Sequence, residues 1–223
     1  MKNLSEIAVV MTVRKNSTRC KNKLLRDYAG TTLFDIALDK ISALKKYDIF
    51  IGAFEMEFKE KINKYSNVNL IERSQESANL SGNKANTVKN LFDMYNKIDH
   101  KWVFWINPCH AFLKLETIKF AIKKFSEIDN KSMTSVVPHY AWFYELDGTP
   151  LNNYPASTGV NNDDHLFVGA HAFHAYKRTM PLVSNKVWDN VKGDPFLYPI
   201  STEESYDINT EEEFLISEFL YKK

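Results

Sequence analysis

The chain has 223 residues, 44% hydrophobic and 13% aromatic, with 29 Lys and Arg against 28 Asp and Glu for a net charge of +1. Nothing in that balance points to general nucleic-acid binding, and the length suits one domain, residues 1–223, with a sizeable core. Only Cys20 and Cys109 are cysteines, no apolar run approaches the ~20 residues of a membrane span, and the opening MKNLSE turns polar too soon for a signal peptide. The expected setting is therefore a reducing cytoplasm, without a disulfide framework or membrane partner.

Residues 7–13 form a run that is apolar except for Thr12 and contains three valines, the pattern of a strand buried on both faces. The next ten residues carry Arg14, Lys15, Arg19, Lys21 and Lys23 among Asn16, Ser17, Thr18 and Asn22. Apolar residues then return at helical spacing: Leu33, Phe34, Ala37, Leu38, Ile41 and Leu44. A buried strand thus ends in a basic, hydroxyl-rich loop before a helix. Ligands in open α/β sheets sit beyond the carboxyl ends of strands, and five cations there suit a polyanion such as a nucleoside triphosphate. The competing reading is a solvated basic turn. Neither G-x-x-x-x-G-K-[ST] nor G-x-G-x-x-G occurs, so side chains would have to hold the phosphates.

Residues 49–54 read as a second strand, Phe58, Ile62 and Tyr65 as a short helix, and 68–71 as a third strand, with Arg73 at its end. Residues 74–84 are polar and irregular. Thr87 is placed as the cap of a helix carrying Val88, Leu91, Phe92, Tyr95 and Ile98. The run WVFWI at 102–106 predicts a central strand, with Trp102 and Trp105 in the core, ending in Asn107-Pro108-Cys109-His110. A helix over 118–125 and a strand over 133–137 follow, and the alternation predicts a mainly parallel sheet covered on both faces.

The rhythm then changes. Residues 141–151, turning at Asp147-Gly148, suggest a small hairpin. Its aromatics, Tyr140, Trp142, Phe143 and Tyr144, make the 138–166 insertion a candidate homodimer contact. Residues 152–164 read as a loop and 166–174 as a strand, with Gly169 marking a bulge or a close approach. His171 and His174, three apart in that strand, are expected on opposite faces and hence not on one ion. Cys109 beside His110 needs no nucleophilic role in nucleotidyl transfer. A short strand over 196–200 precedes a last helix over 211–221, where Thr210 and Glu213 form a capping box. In Asp207-Ile208-Asn209, the two polar side chains project to one side. They would suit Mg²⁺ (or Mn²⁺) held mostly by water and substrate phosphates; helix-start chemistry is the competing reading.

Together these ends resemble a known family. Arg14-Lys15-Asn16-Ser17-Thr18-Arg19, with Lys23, Leu25, Gly30 and Leu33, resembles the opening signature of the N-acylneuraminate cytidylyltransferases, which activate nine-carbon sugar acids as CMP-sugars. Asp207-Ile208-Asn209-Thr210 looks like that family's closing D-I-D-T motif. The resemblance implies a three-layer α/β/α sandwich of nucleotide-diphospho-sugar transferase type. It implies CTP as donor, Mg²⁺ as cofactor, a homodimer, and a role in polysaccharide or glycan synthesis. Arg14, Ser17, Arg19 and Lys23 would hold the triphosphate, with Val13 beside them. Arg73 would lie near the base and Asn107 near the nucleotide. Asp207 and Asn209 would hold metal, and Arg14, Lys23 and Asp207 would carry catalysis.

The departures bear on the acceptor. Asn16 replaces a common glycine, where it would have to tolerate a left-handed turn, and Asn209 replaces the second aspartate. The Q-P-T-S-P-L-R run is Asn107-Pro108-Cys109-His110-Ala111-Phe112-Leu113, and the R-x-N-G-A stretch keeps only Gly169-Ala170. The acceptor would meet His110, Gly169 and His171, with His165, Lys177 or Arg178 as further candidates, so N-acetylneuraminic acid itself is expected to be a poor substrate. Three readings stand: a sugar-acid cytidylyltransferase, a cytidylyltransferase for a phosphorylated polyol or phosphonate, and a nucleotide-binding relative that has lost catalysis.

Overall fold

A computed structural model describes residues 1–80, 87–152 and 165–223. In chain order the elements are β1 (Ile7–Thr12), β2 (Asp27–Tyr28), β3 (Thr31–Thr32), α1 (Leu33–Ser42), β4 (Ile49–Ala53), α2 (Met56–Ile62), β5 (Val68–Glu72), α3 (Gln75–Asn79) and α4 (Thr87–Leu91). Then come β6 (Trp102–Ile106), α5 (Leu115–Glu127), β7 (Ser132–His139), β8 (Leu166–Lys177), α6 (Met180–Ser184), β9 (Phe196–Pro199) and α7 (Glu211–Tyr221). Seven strands form one sheet in the order β5-β4-β1-β6-β8-β7-β9. Only β8 runs against its neighbours; every other neighbouring pair is parallel.

The side-chain period of 2 explains the layers. Along β1, Ile7, Val9 and Met11 join one core with Phe34 of α1, Phe58 of α2, Phe125 of α5 and Phe214 of α7. Ala8 and Val10 point the other way, into a second core with Phe92, Met94, Tyr95 and Tyr176. Strand β6 lies at the centre of the sheet, as its WVFWI run predicts, and sends Phe104 to the first core and Val103 and Trp105 to the second.

Three local features differ from the sequence reading. Thr87 is the first residue of α4 rather than its cap, and the expected helix to Ile98 breaks into a 3-10 turn at Asp93–Lys97. The Leu91 carbonyl, which a continuing helix would use, instead accepts from the Ser77 hydroxyl at 3.3 Å and from Arg73 at 3.5 Å. Residues 75–79, expected to be irregular, form α3, capped by the Ser74 side chain on the Ser77 amide. Finally, β2 and β3 make a tight hairpin through Ala29 (φ +55°) and Gly30 (φ +82°). Two consecutive left-handed residues suit the twist of such a turn, and the alanine there masks the usual glycine-asparagine signature.

Gly52 of β4 marks a real close approach. A Cβ built there would lie 2.2 Å from the Met94 sulfur and 2.9 Å from Cδ of Arg73. Gly52→Ala is therefore expected to destabilise the protein by about 1–3 kcal/mol through overpacking, read as a fall of several degrees in a thermal unfolding scan. An unchanged midpoint would show that Met94 can move aside at no cost.

Candidate active site

Because β1 and β6 are adjacent and parallel, their carboxyl ends open side by side, and the chain that leaves each becomes a wall of one cleft. The cleft has a volume of about 600 Å³. Arg14, Ser17, Arg19 and Lys23 come from the loop after β1, Trp105, Asn107 and Cys109 from the end of β6, His171 from β8, and Asp207 and Asn209 from the segment before α7. The two ends of the chain thus face each other across one cavity.

Of the five basic residues in the first loop, three line the cleft. Arg19 donates to Oδ1 of Asn209 at 3.0 Å, Lys23 donates to the Ile208 carbonyl, and Arg14 donates to the Leu80 carbonyl at 2.7 Å. Lys15 turns away, its ammonium on Glu57 and its amide on Glu55, and Lys21 is an exposed residue outside the lining. The left-handed turn expected at Asn16 occurs at Asn22 (φ +54°), whose carbonyl accepts from the amides of Leu25 and Arg26. That turn brings Lys23 back over the cleft.

Val13 and Arg73 serve each other. Val13 is buried, and its carbonyl accepts from Nη1 of Arg73 at 3.1 Å. Nη2 of Arg73 reaches the Ser77 carbonyl at 2.7 Å, so this buried guanidinium braces the end of β1 against α3 while touching the cleft wall. Asn107 is similarly engaged: its amide donates to the His171 carbonyl at 3.1 Å and accepts from the Cys109 amide at 3.0 Å. Cys109 is buried, and its thiol is pushed up to about 11, mainly by burial, with Lys23 opposing. It stays protonated near neutrality and offers no thiolate nucleophile.

The tail matches the spacing argument. Ile208 is fully buried while Asp207 and Asn209 face the cleft, and Nδ2 of Asn209 donates to Oδ2 of Asp207 at 2.8 Å. Thr210 and Glu213 form the capping box below them. His110 lies beneath the cleft rather than in its lining. Its Nε2 is 2.9 Å from the Ala170 carbonyl; a carbonyl only accepts, so that nitrogen carries the proton. Nδ1 then turns a lone pair toward Oδ1 of Asp207, 3.9 Å away, and both atoms lack a hydrogen-bond partner among the described residues. Burial lowers the His110 pKa to about 4, with Asp207 opposing, so the ring stays neutral near pH 7.

The β7–β8 pair departs most from expectation. Thr134 pairs with His174 and Val136 pairs with Gly169, so Ser135 alone faces four residues of β8. Its hydroxyl accepts from the amides of Ala172 and Phe173 at 3.0 and 3.2 Å, which holds the bulge closed. His171 takes a left-handed backbone there, φ +56°, a conformation costing an ordinary residue roughly 1–2 kcal/mol. The bulge overturns the expectation that His171 and His174 lie on opposite faces: Nδ1 of His171 is 2.7 Å from Nε2 of His174. Gly169 itself is exposed, with open space where a Cβ would be, and is not part of the cleft lining, so the bulge is present and the close approach is not.

No family model matches this sequence, and no curated protein matches it. Solved structures do match. One is CMP:2-keto-3-deoxy-manno-octonic acid synthetase complexed with CTP, with a TM-score of 0.69 at 9% identity, covering 97% of this chain and 98% of that one. Another is 4-diphosphocytidyl-2C-methyl-D-erythritol synthase from Anaerococcus prevotii, with a TM-score of 0.68 at 13% identity, covering 99% and 100%. A third is the bifunctional IspDF from Campylobacter jejuni, with a TM-score of 0.63 at 12% identity, where 94% of this chain covers 53% of that one. These likenesses establish the fold, a nucleotide-diphospho-sugar transferase-type α/β/α sandwich, in agreement with the sequence reading.

Lys177 and Arg178 lie at the opposite end of the sheet. Lys177 pairs with Trp102 at the start of β6, and Arg178 donates to the carbonyls of His100 and Tyr95 at 2.8 and 2.9 Å. Neither reaches an acceptor in the cleft, which corrects the sequence-based suggestion. His165 packs against Tyr140 and Phe167 and is likewise outside the lining. Trp105, read as core, is both: it stacks on His174 with ring centroids 5.4 Å apart and also lines the cleft. Its place one residue before Ile106 ends β6 was the available sign.

Proposed function

We propose that this chain is a CTP-dependent cytidylyltransferase that transfers CMP to a sugar acid and releases pyrophosphate. The observation that carries this reading is the meeting of Arg14, Arg19 and Lys23 with Asp207 across one cleft beyond the carboxyl ends of β1 and β6. Three cations can offset most of the charge of a triphosphate, and the facing carboxylate can hold the divalent ion that nucleotide chemistry of this class uses. The solved structures sharing the fold include one with CTP, and their names span a sugar acid and a methylerythritol.

In this reading Arg14 and Arg19 bind and orient the phosphates, and Lys23 stabilises the pyrophosphate as it leaves. Asp207 fits a hard cation because its Oδ1 is unpartnered among the described residues. Asn209 can assist only as Arg19 exchanges its amide oxygen for phosphate. When bound, Mg²⁺ or Mn²⁺ supplies charge neutralisation at the phosphates. The test is a panel of sugar acids and phosphorylated polyols with CTP, read out by pyrophosphate. Turnover of a sugar acid other than N-acetylneuraminic acid is expected; no arginine or lysine other than the three phosphate cations and the internally bonded Arg73 lines the described cleft, so neutral donors would have to meet the acceptor's carboxylate. CTP binding without turnover of any acceptor would favour a nucleotide-binding protein without transferase activity.

We also infer a homodimer. The hairpin forms, with Gly148 at φ +89° and the Leu151 amide on the Phe143 carbonyl. It leaves Tyr140, Trp142, Tyr144, Leu146 and Leu151 exposed, as are Phe167 and Val168 of β8, and large apolar side chains exposed together mark contacts. Residues 153–164, part of the same insertion, lie outside the described residues. Sedimentation at micromolar concentration is expected to show a dimer that Leu146→Asp weakens; a wild-type monomer would remove this proposal. No helix among the described residues is long and apolar enough to cross a membrane, and a cytoplasmic location remains part of the proposal.

A further inference from the structure

Two neighbouring histidines, one exposed and one buried, have no task in the scheme above. His171 lines the cleft and is exposed to it. Its Nδ1 meets Nε2 of His174, and Nδ1 of His174 meets the Thr134 hydroxyl at 2.8 Å. His174 is buried between Trp105, parallel to it, and Trp188, edge-on with centroids 5.1 Å apart. The chain of contacts therefore runs from an apolar, enclosed end to an open end in the nucleotide cleft, and Nε2 of His171 is the ring nitrogen left for that cleft. The left-handed backbone at His171 and the Asn107 amide on its carbonyl hold the ring in this place. Local strain of this kind gathers at functional sites.

We propose that His171, positioned by His174 and Thr134, is the proton acceptor for the attacking group, so that the natural acceptor attacks through a hydroxyl rather than through an already ionised phosphate oxygen. The proposal rests on the cytidylyltransferase reading and names the acceptor's nucleophile within it. The acceptor hydroxyl oxygen bonds to the α-phosphorus as the α–β bridging P–O bond breaks. The electron pair of that bond leaves with pyrophosphate, and the hydroxyl proton passes to Nε2 of His171. For Nε2 to be free to accept, His171 must donate from Nδ1 to His174, and His174 must donate from Nδ1 to Thr134. Apolar walls keep His174 neutral, its pKa well below the usual imidazole value, with His171 and His110 acting the same way. Desolvation also holds His171 low; Lys23 from the first loop adds to this and Asp207 opposes it. Both rings are thus neutral near pH 7, and one tautomer makes the chain a base.

Two-bond ¹⁵N–¹H NMR on the free protein is expected to show His171 as the Nδ1–H tautomer; the Nε2–H tautomer would overturn the proposal. His171→Asn tolerates a left-handed backbone but accepts no proton. It is expected to lower kcat about 100-fold on a hydroxyl acceptor, with CTP affinity by calorimetry within threefold of wild type. His174→Asn should lower kcat less, leave KM for CTP unchanged and move the acidic limb of the pH–rate profile. Near-native kcat in His171→Asn with CTP binding intact, or a wild-type enzyme that accepts only phosphate nucleophiles, would overturn the inference and leave the cytidylyltransferase reading standing. A wild-type chain that does not bind CTP would overturn both.

Discussion

Lys23→Ala is expected to slow nucleotidyl transfer by about 10²- to 10³-fold, the scale on which one preorganised charge contact acts in a desolvated site. Lys23 is the only lysine lining the described cleft and already points at the Ile208 carbonyl, between the first loop and Asp207. Its contribution should appear in kcat more than in KM for CTP, because pyrophosphate gains charge as it leaves. Lys15→Ala is the control. Its ammonium pairs with Glu57 outside the cleft, so its removal should change turnover by less than roughly threefold, as for other exposed ion pairs. Steady-state pyrophosphate release decides the matter, and near-native turnover in Lys23→Ala at saturating CTP would remove the phosphate assignment.

Asp207→Ala is expected to remove most activity, about 10³-fold or more, because the divalent ion that this carboxylate would hold in the proposed reaction would supply several kcal/mol of charge stabilisation at the phosphates. The structure sharpens the companion variant, Asn209→Asp. Nδ2 of Asn209 now donates to Oδ2 of Asp207 at 2.8 Å. The substitution replaces that donor with a second carboxylate oxygen, and the resulting repulsion is relieved by a cation. Half-maximal activity should therefore come at a lower Mg²⁺ or Mn²⁺ concentration, with Arg19 still able to pair with the new carboxylate. Metal titrations of the three proteins are the measurement; curves that superimpose would show that these residues only prepare the start of α7.

The parts of this molecule that a sequence can reveal are those set by local period or by a buried run. Val9 and Val10 point to opposite cores as a strand buried on both faces requires, and the Thr210–Glu213 box begins α7 where its spacing indicates. The cleft was legible from its two ends because the basic loop follows the buried run of β1 and Asp207-Ile208-Asn209 leads into the capped start of α7. What was hidden depends on partners distant in the chain. The bulge at His171 exists because one serine on another strand, Ser135, satisfies two amides of β8; residues 166–174 alone read as an ordinary alternating strand. Arg73 looked like a ligand-facing arginine, and only the folded chain shows its donors turned to Val13 and Ser77. Lys177 and Arg178 seemed near the acceptor because sequence distance gives no sign of which end of β8 meets the cleft.

The contacts between the first loop and the last helix also bear on how the protein comes into being. Arg19 holds Asn209, Lys23 holds Ile208, Arg26 grips both carboxylate oxygens of Glu211 at 2.8 and 2.9 Å, and Tyr28 shares a buried hydrogen bond with Ser217. Each joins residues roughly 185–190 positions apart. On the ribosome, β1, β4 and β5 can pair long before these partners emerge, whereas the cleft has no far wall until residues 207–217 have been synthesised. A nascent chain thus cannot close this cleft while it is being made. In the finished protein, transient detachment of α7 should open the cleft and expose the Tyr28 and Phe214 surfaces together, as one cooperative opening visible in hydrogen exchange.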